Sequence, residues 1–224
     1  MRYFSGLAAA SLACLAATAA GSPIAPRQCS SPPSSSTATA TATATATSTA
    51  GACPPSGSAR AAPLMYNLYP SEPDRSEAAV TVIEVEGTTS TTQEQAMVVG
   101  GIPAAAQNCS VIWIQAAADA RDFAVTGSGL TSVLQLEGFP APGEPVSWAA
   151  VAPFVESTSK PRNRHADFTG WDQPEYANRN HTLGAFDCAE EMRFHLAIDR
   201  EEGGDGHVHF QQDEHNGFFV EYSC

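Results

Sequence analysis

Strict Thr-Ala alternation from Thr37 to Thr47 sets the tightest limit on what this chain can fold into. The run lies inside a longer stretch, Gln28 to Ser58, made almost wholly of Ser, Thr, Ala, Pro and Gly. Period-two alternation is a strand pattern, but Thr and Ala differ too little in apolar character for one face to drive burial. Ordering each residue's backbone costs about 1–2 kcal/mol, and nothing in the stretch offsets that. The composition is that of an O-glycosylated stalk. A folded core must therefore come from downstream sequence.

The first twenty residues read as a secretory signal: a charge at Arg2, an Ala/Leu-rich apolar run, then small residues at Thr18, Ala19 and Ala20. The run falls short of the roughly 20 apolar residues a membrane helix needs, and no second run follows, so no membrane span is expected. The organisation expected is a signal peptide at 1–20, a disordered Ser/Thr/Ala/Pro-rich stalk at 21–61, and one domain at 62–224. Without the signal the cysteines are Cys29, Cys53, Cys109, Cys188 and Cys224, an odd number. An oxidising compartment then implies two bridges and one free thiol. Bridges within regions are favoured: either Cys29 pairs with Cys53, or one of these two reaches into the domain. Cys188 is expected to pair with Cys109 or Cys224, because all three border core strands.

Short runs rich in Val, Ile, Phe, Trp and Tyr recur between Gly- and Pro-marked turns, at 64–69, 79–86, 95–102, 109–116, 132–139, 145–155, 192–199, 206–211 and 217–222. Short strands without a helix predict an all-β, antiparallel, jelly-roll-like β-sandwich. The last three runs alternate cleanly. Met192, Phe194, Leu196, Ile198, Val208, Phe210, Phe218, Val220 and Tyr222 should face the core, and His195, His207 and His209 the wetter side. The pattern is lost from Glu156 to Leu183, which reads as one long loop carrying Trp171 and Tyr176. Those rings either stack on sugar or pin the loop to the domain. Asn180 and Asn108 head N-glycosylation sequons.

All 24 acidic residues fall at or after Glu72, against eight of the 11 basic ones. Nucleic acid is a poor partner for such a surface, since its binding rests on Lys and Arg at phosphates. No G-x-S-x-G, H-E-x-x-H or phosphate-cradling loop is present. The one metal-like pattern is His207-x-His209-x4-Glu214, whose imidazoles should face outward rather than into a barrel. A hairpin between 192–199 and 206–211 would set His195 opposite His209. A solvent-facing His195/His207/His209 cluster for zinc or copper, in a secreted metal-binding protein or enzyme, is the resulting alternative to a protein without a cofactor.

Several elements occur in a suggestive order: Gly101-Ile-Pro103, Asn108-Cys-Ser-Val-Ile-Trp113, Phe186-Asp-Cys188, Met192-Arg-Phe-His-Leu196, Val208-His-Phe-Gln-Gln212 and Gly217 to Cys224. Together they resemble the fungal family named for a ubiquitin-3-binding protein, the But-two C-terminal-domain family. The resemblance implies a secreted or wall-associated β-domain. The expected function is a non-enzymatic, secreted, cell-surface or wall-associated binding or structural glycoprotein, with a cell-wall polysaccharide or surface protein as partner.

Overall fold

The computed structural model describes residue 53 and residues 58–158, 163–176 and 179–224, all within the unit 46–224. Twelve strands occur among them: β1 (Ser58–Ala61), β2 (Leu64–Leu68), β3 (Val82–Gly87), β4 (Thr92–Gly100), β5 (Gln107–Gln115), β6 (Phe123–Gly127), β7 (Leu130–Gln135), β8 (Asn163–Asp167), β9 (Arg179–Ala185), β10 (Glu191–Ile198), β11 (Gly206–Gln211) and β12 (Gly217–Ser223). Two helical segments accompany them, α1 (Trp148–Ser157) and the single turn α2 (Arg200–Gly203).

The strands form two curled antiparallel sheets in a sandwich, as the alternation predicts. One sheet runs β1-β12-β5-β9; the other runs β6-β11-β3-β4-β10-β7-β8, with β2 also paired to β4. Inward residues of β5 and β12 (Val111, Trp113, Phe218, Val220) meet those of β10 and β11 (Phe194, Leu196, Val208, Phe210) in one buried core. Phe168 enters it from the loop after β8, with its ring 4.3 Å from that of Trp113. Each fully buried aromatic or aliphatic side chain contributes roughly 1.5–3 kcal/mol. The inward assignment of β10, β11 and β12 therefore holds.

Several expectations are corrected. The run at 145–155 is a helix, because Ser147 caps it by accepting the Ala150 N–H at 3.4 Å, and Ala149, Ala150 and Ala152 favour the conformation. Trp148, Val151 and Val155 recur at helical spacing and share a second cluster with Leu68, Ala96 and Leu136 on the outer face of the larger sheet. The supposed loop at 156–183 contains β8 and the start of β9. The folded part also begins before residue 62, since β1 pairs with β12 from Ser58↔Ser223 to Ala61↔Val220.

The bridges are Cys109–Cys188 and Cys53–Cys224, with Cα atoms 5.3 and 5.7 Å apart. Cys188 takes one of its two expected partners. Of the two arrangements left open for Cys29 and Cys53, pairing with each other is excluded and the other holds: Cys53 reaches into the domain, where β1 pairs with β12 and sets Ser58 opposite Ser223. Cys29, the signal peptide expected at 1–20 and most of the stalk expected at 21–61 lie outside the described residues.

Candidate functional site

On β10 the residues between the core positions, Arg193, His195, Ala197 and Asp199 just beyond, face away from the core. That outer face is not uniformly wet. α1 lies over part of it, and Trp148 sits 5.8 Å from the His195 ring, leaving His195 only 6% exposed. Under this cover His195 Nε2 lies 2.7 Å from Glu94 Oε2.

Past the end of α1's cover the same face opens into a pocket of about 390 Å³. Glu86, Glu94, Asp199 and Glu201 bring four carboxylates to its lining, together with Ser132 and Asn163. Arg200 also lines it, but its guanidinium is held by Asp205 at 2.9 Å. Asn163 Oδ1 is buried without a hydrogen-bond partner. At the rim His165 Nε2 is 2.9 Å from Asp199 Oδ2, while Asp199 Oδ1 accepts the Glu202 N–H at 3.1 Å and caps α2. Two imidazole–carboxylate pairs thus flank one acidic pocket.

The expected three-histidine cluster does not form. β10 pairs with β4 and β7, whereas β11 pairs with β3 and β6. His195 and His209 are therefore three strand spacings apart, on the order of 14 Å at about 4.8 Å each. The cause lies in 199–206: the Asp199-capped turn of α2 and Gly204, at φ 81°, carry the chain across β4 and β3 instead of folding it back as a hairpin. His207 and His209 share the outer face of β11, where Glu84 lies 3.5 and 3.7 Å from them.

A groove of about 580 Å³ lies on the other side of α1. Tyr66 and Phe139, with ring centroids 6.3 Å apart, and the 51%-exposed Leu64 supply its apolar surface. Glu77, Glu144 and Arg193 supply charge around them. The volume is within the range of about 300–1,000 Å³ usual for ligand sites.

Trp171, one of the two loop aromatics named from sequence, is pinned. Its ring contacts Trp113 at 5.5 Å and His181 at 4.3 Å. Tyr176 packs against Trp171 with centroids 4.7 Å apart and planes tilted by 49°, and remains 36% exposed. Arg121 secures the loop by donating to the carbonyls of Ala116, Trp171, Asp172, Gln173 and Tyr176 at 2.9–3.4 Å. Burial pulls the Arg121 guanidinium below its ordinary pKa.

On β9, Asn180 and Thr182 are exposed while His181 turns inward and stacks on Trp113 at 4.5 Å, which leaves the Asn180 sequon on the surface. Asn108 is also exposed, but its amide donates to Ser223 Oγ at 2.9 Å and its φ is 53°. The sequence reading missed Glu94, His165, Asp199, Tyr66 and Phe139. Only Phe139, beside Pro140-Ala-Pro-Gly143, carried a local signal. No protein-family model, curated protein or solved structure matches the chain. No helix among the described residues is long and apolar enough to cross a membrane.

Proposed function

We propose that this chain is a secreted, wall- or surface-associated binding glycoprotein, and that its domain takes polysaccharide in the groove at Tyr66 and Phe139. The groove carries the reading. Aromatic and aliphatic side chains offer faces on which pyranose C–H surfaces pack, and Glu77, Glu144 and Arg193 beside them suit hydroxyl groups. The two bridges fit an oxidising compartment. The Ser/Thr-rich approach, the exposed Asn180 and the resemblance to the fungal But-two C-terminal-domain family add to the same reading.

Retention of the full secreted chain on insoluble wall polysaccharides, followed by a soluble glycan array, tests it. Leu64→Asn and Arg193→Gln should weaken retention while leaving the melting temperature near that of the parent, since neither residue belongs to the core. Absence of retention on every polysaccharide, or retention that both variants leave unchanged, would refute the assignment.

A further inference from the structure

We propose that His165, Asp199 and Glu202 form a binding site for a divalent transition-metal ion. The three residues come from different elements: His165 from β8, Asp199 from the end of β10, Glu202 from α2. Each offers one ligand atom, and these atoms all lie within 4.8 Å of one another. Ligands held about 2.0–2.2 Å from a zinc-like ion are themselves roughly 3–3.5 Å apart. The 2.9 Å between His165 Nε2 and Asp199 Oδ2 is therefore close to the spacing of adjacent ligands.

Asp199 divides its oxygens. Oδ1 accepts the backbone N–H of Glu202 at 3.1 Å, which turns Oδ2 toward His165 and fixes the residue that carries the third ligand. An ion pair between His165 and Asp199 would account for these two alone, but not for Asn163. That residue is two positions before His165 on the same face of β8, and it lines the pocket that Asp199 also lines. Its Oδ1 is buried with no hydrogen-bond partner, which buried polar atoms rarely show. A metal-bound water donating to Asn163 removes that deficit. Arg200, the cation nearest in sequence, pairs with Asp205 at 2.9 Å.

One imidazole with two carboxylates suits zinc, manganese or ferrous iron better than calcium or magnesium, which favour all-oxygen sites. Three protein ligands leave coordination positions open on the pocket side. The site is separate from the groove of the polysaccharide reading and does not depend on it.

The test uses the full chain, stripped with a chelator, and titrated with Co²⁺ and Zn²⁺ by calorimetry and visible absorption. The expected result is one ion per chain, with Co²⁺ d–d bands in the visible that saturate at one equivalent. His165→Gln and Glu202→Gln should each weaken binding at least about tenfold. Asp199→Asn, which retains the Oδ1 cap, should do the same without lowering the metal-free melting temperature. A His207→Gln/His209→Gln double variant should bind as the parent does. No binding at up to about 1 mM ion overturns the proposal. So does parental affinity in His165→Gln and Glu202→Gln, or loss of binding in the His207/His209 variant.

Discussion

Gln135 grips the backbone of Asp187 at both of its polar groups: its Nε2 donates to the Asp187 carbonyl at 2.8 Å, and its Oε1 accepts the Asp187 N–H at 3.2 Å. The carboxamide acts as a strand residue would, just before the bridge at Cys188. The device recurs twice. Gln212 takes the N–H and C=O of Phe218 at 2.8 and 3.0 Å, and Gln95 accepts from Glu84 N–H while donating to the Val82 carbonyl, both at 2.9 Å. Each glutamine stands where regular pairing stops, and each is buried.

Gln212→Leu should therefore destabilise the domain by about 2–4 kcal/mol, because it strands two backbone groups of the fully buried Phe218. Gln135→Leu should cost less, since Asp187 is exposed and water can replace the lost partner. Urea denaturation of the two variants checks the order. Equal effects would show that burial of the backbone partner does not set the cost.

The two bridges should separate in their consequences. Cys188→Ser opens a link between residues 79 apart in sequence and is expected to cost about 2–5 kcal/mol, lowering the melting temperature clearly. Cys53→Ser opens the longer link, between residues 171 apart, so it should lower the melting temperature at least as much and, because β1 pairs only with β12, also release 58–61 to protease. Mass mapping of limited digests distinguishes the two patterns.

His181 should make stability depend on pH. Burial, and secondarily the positive charge of Arg179, hold its pKa below the ordinary value of 6.5. The unfolded chain then binds more protons than the folded one just below that value, so stability is full above it and falls as pH drops through it. His181→Phe keeps the stack on Trp113 and removes the titration. Melting curves from pH 7.5 to pH 5 should show a smaller loss for this variant than for the parent.

Arg121→Gln should loosen the loop from Phe168 to Tyr176 without unfolding the sandwich, because the guanidinium serves five carbonyls that a shorter neutral amide cannot reach together. Faster hydrogen exchange confined to 171–176 is the expected signature. Exchange unchanged in that loop would show that the aromatic contacts of Trp171 hold it alone.

Alternation along β10, β11 and β12 is enough by itself to place Phe194, Phe210 and Phe218 in a core, because period two and side-chain hydrophobicity are local properties. The strands it missed, β1, β6, β8 and β9, end the two strand orders; β2, which also has one strand neighbour, was marked by its apolar run. An edge strand has one neighbour and can carry polar side chains such as those of Asn163-Arg-His165 and Arg179-Asn-His181, so little apolar signal marks it. The run at 145–155 misled because its apolar residues suit a strand as well as a helix, and the Ser147 cap and the outer face awaiting cover decided between them. Pairing is less local still. The facing of His195 and His209 was readable, but whether β10 meets β11 depended on where α2 sends the chain, and it sends it across β4 and β3. The acidic pocket follows from that crossover: Glu94, Asp199 and His165 are far apart in sequence, and only sheet order brings them onto one face.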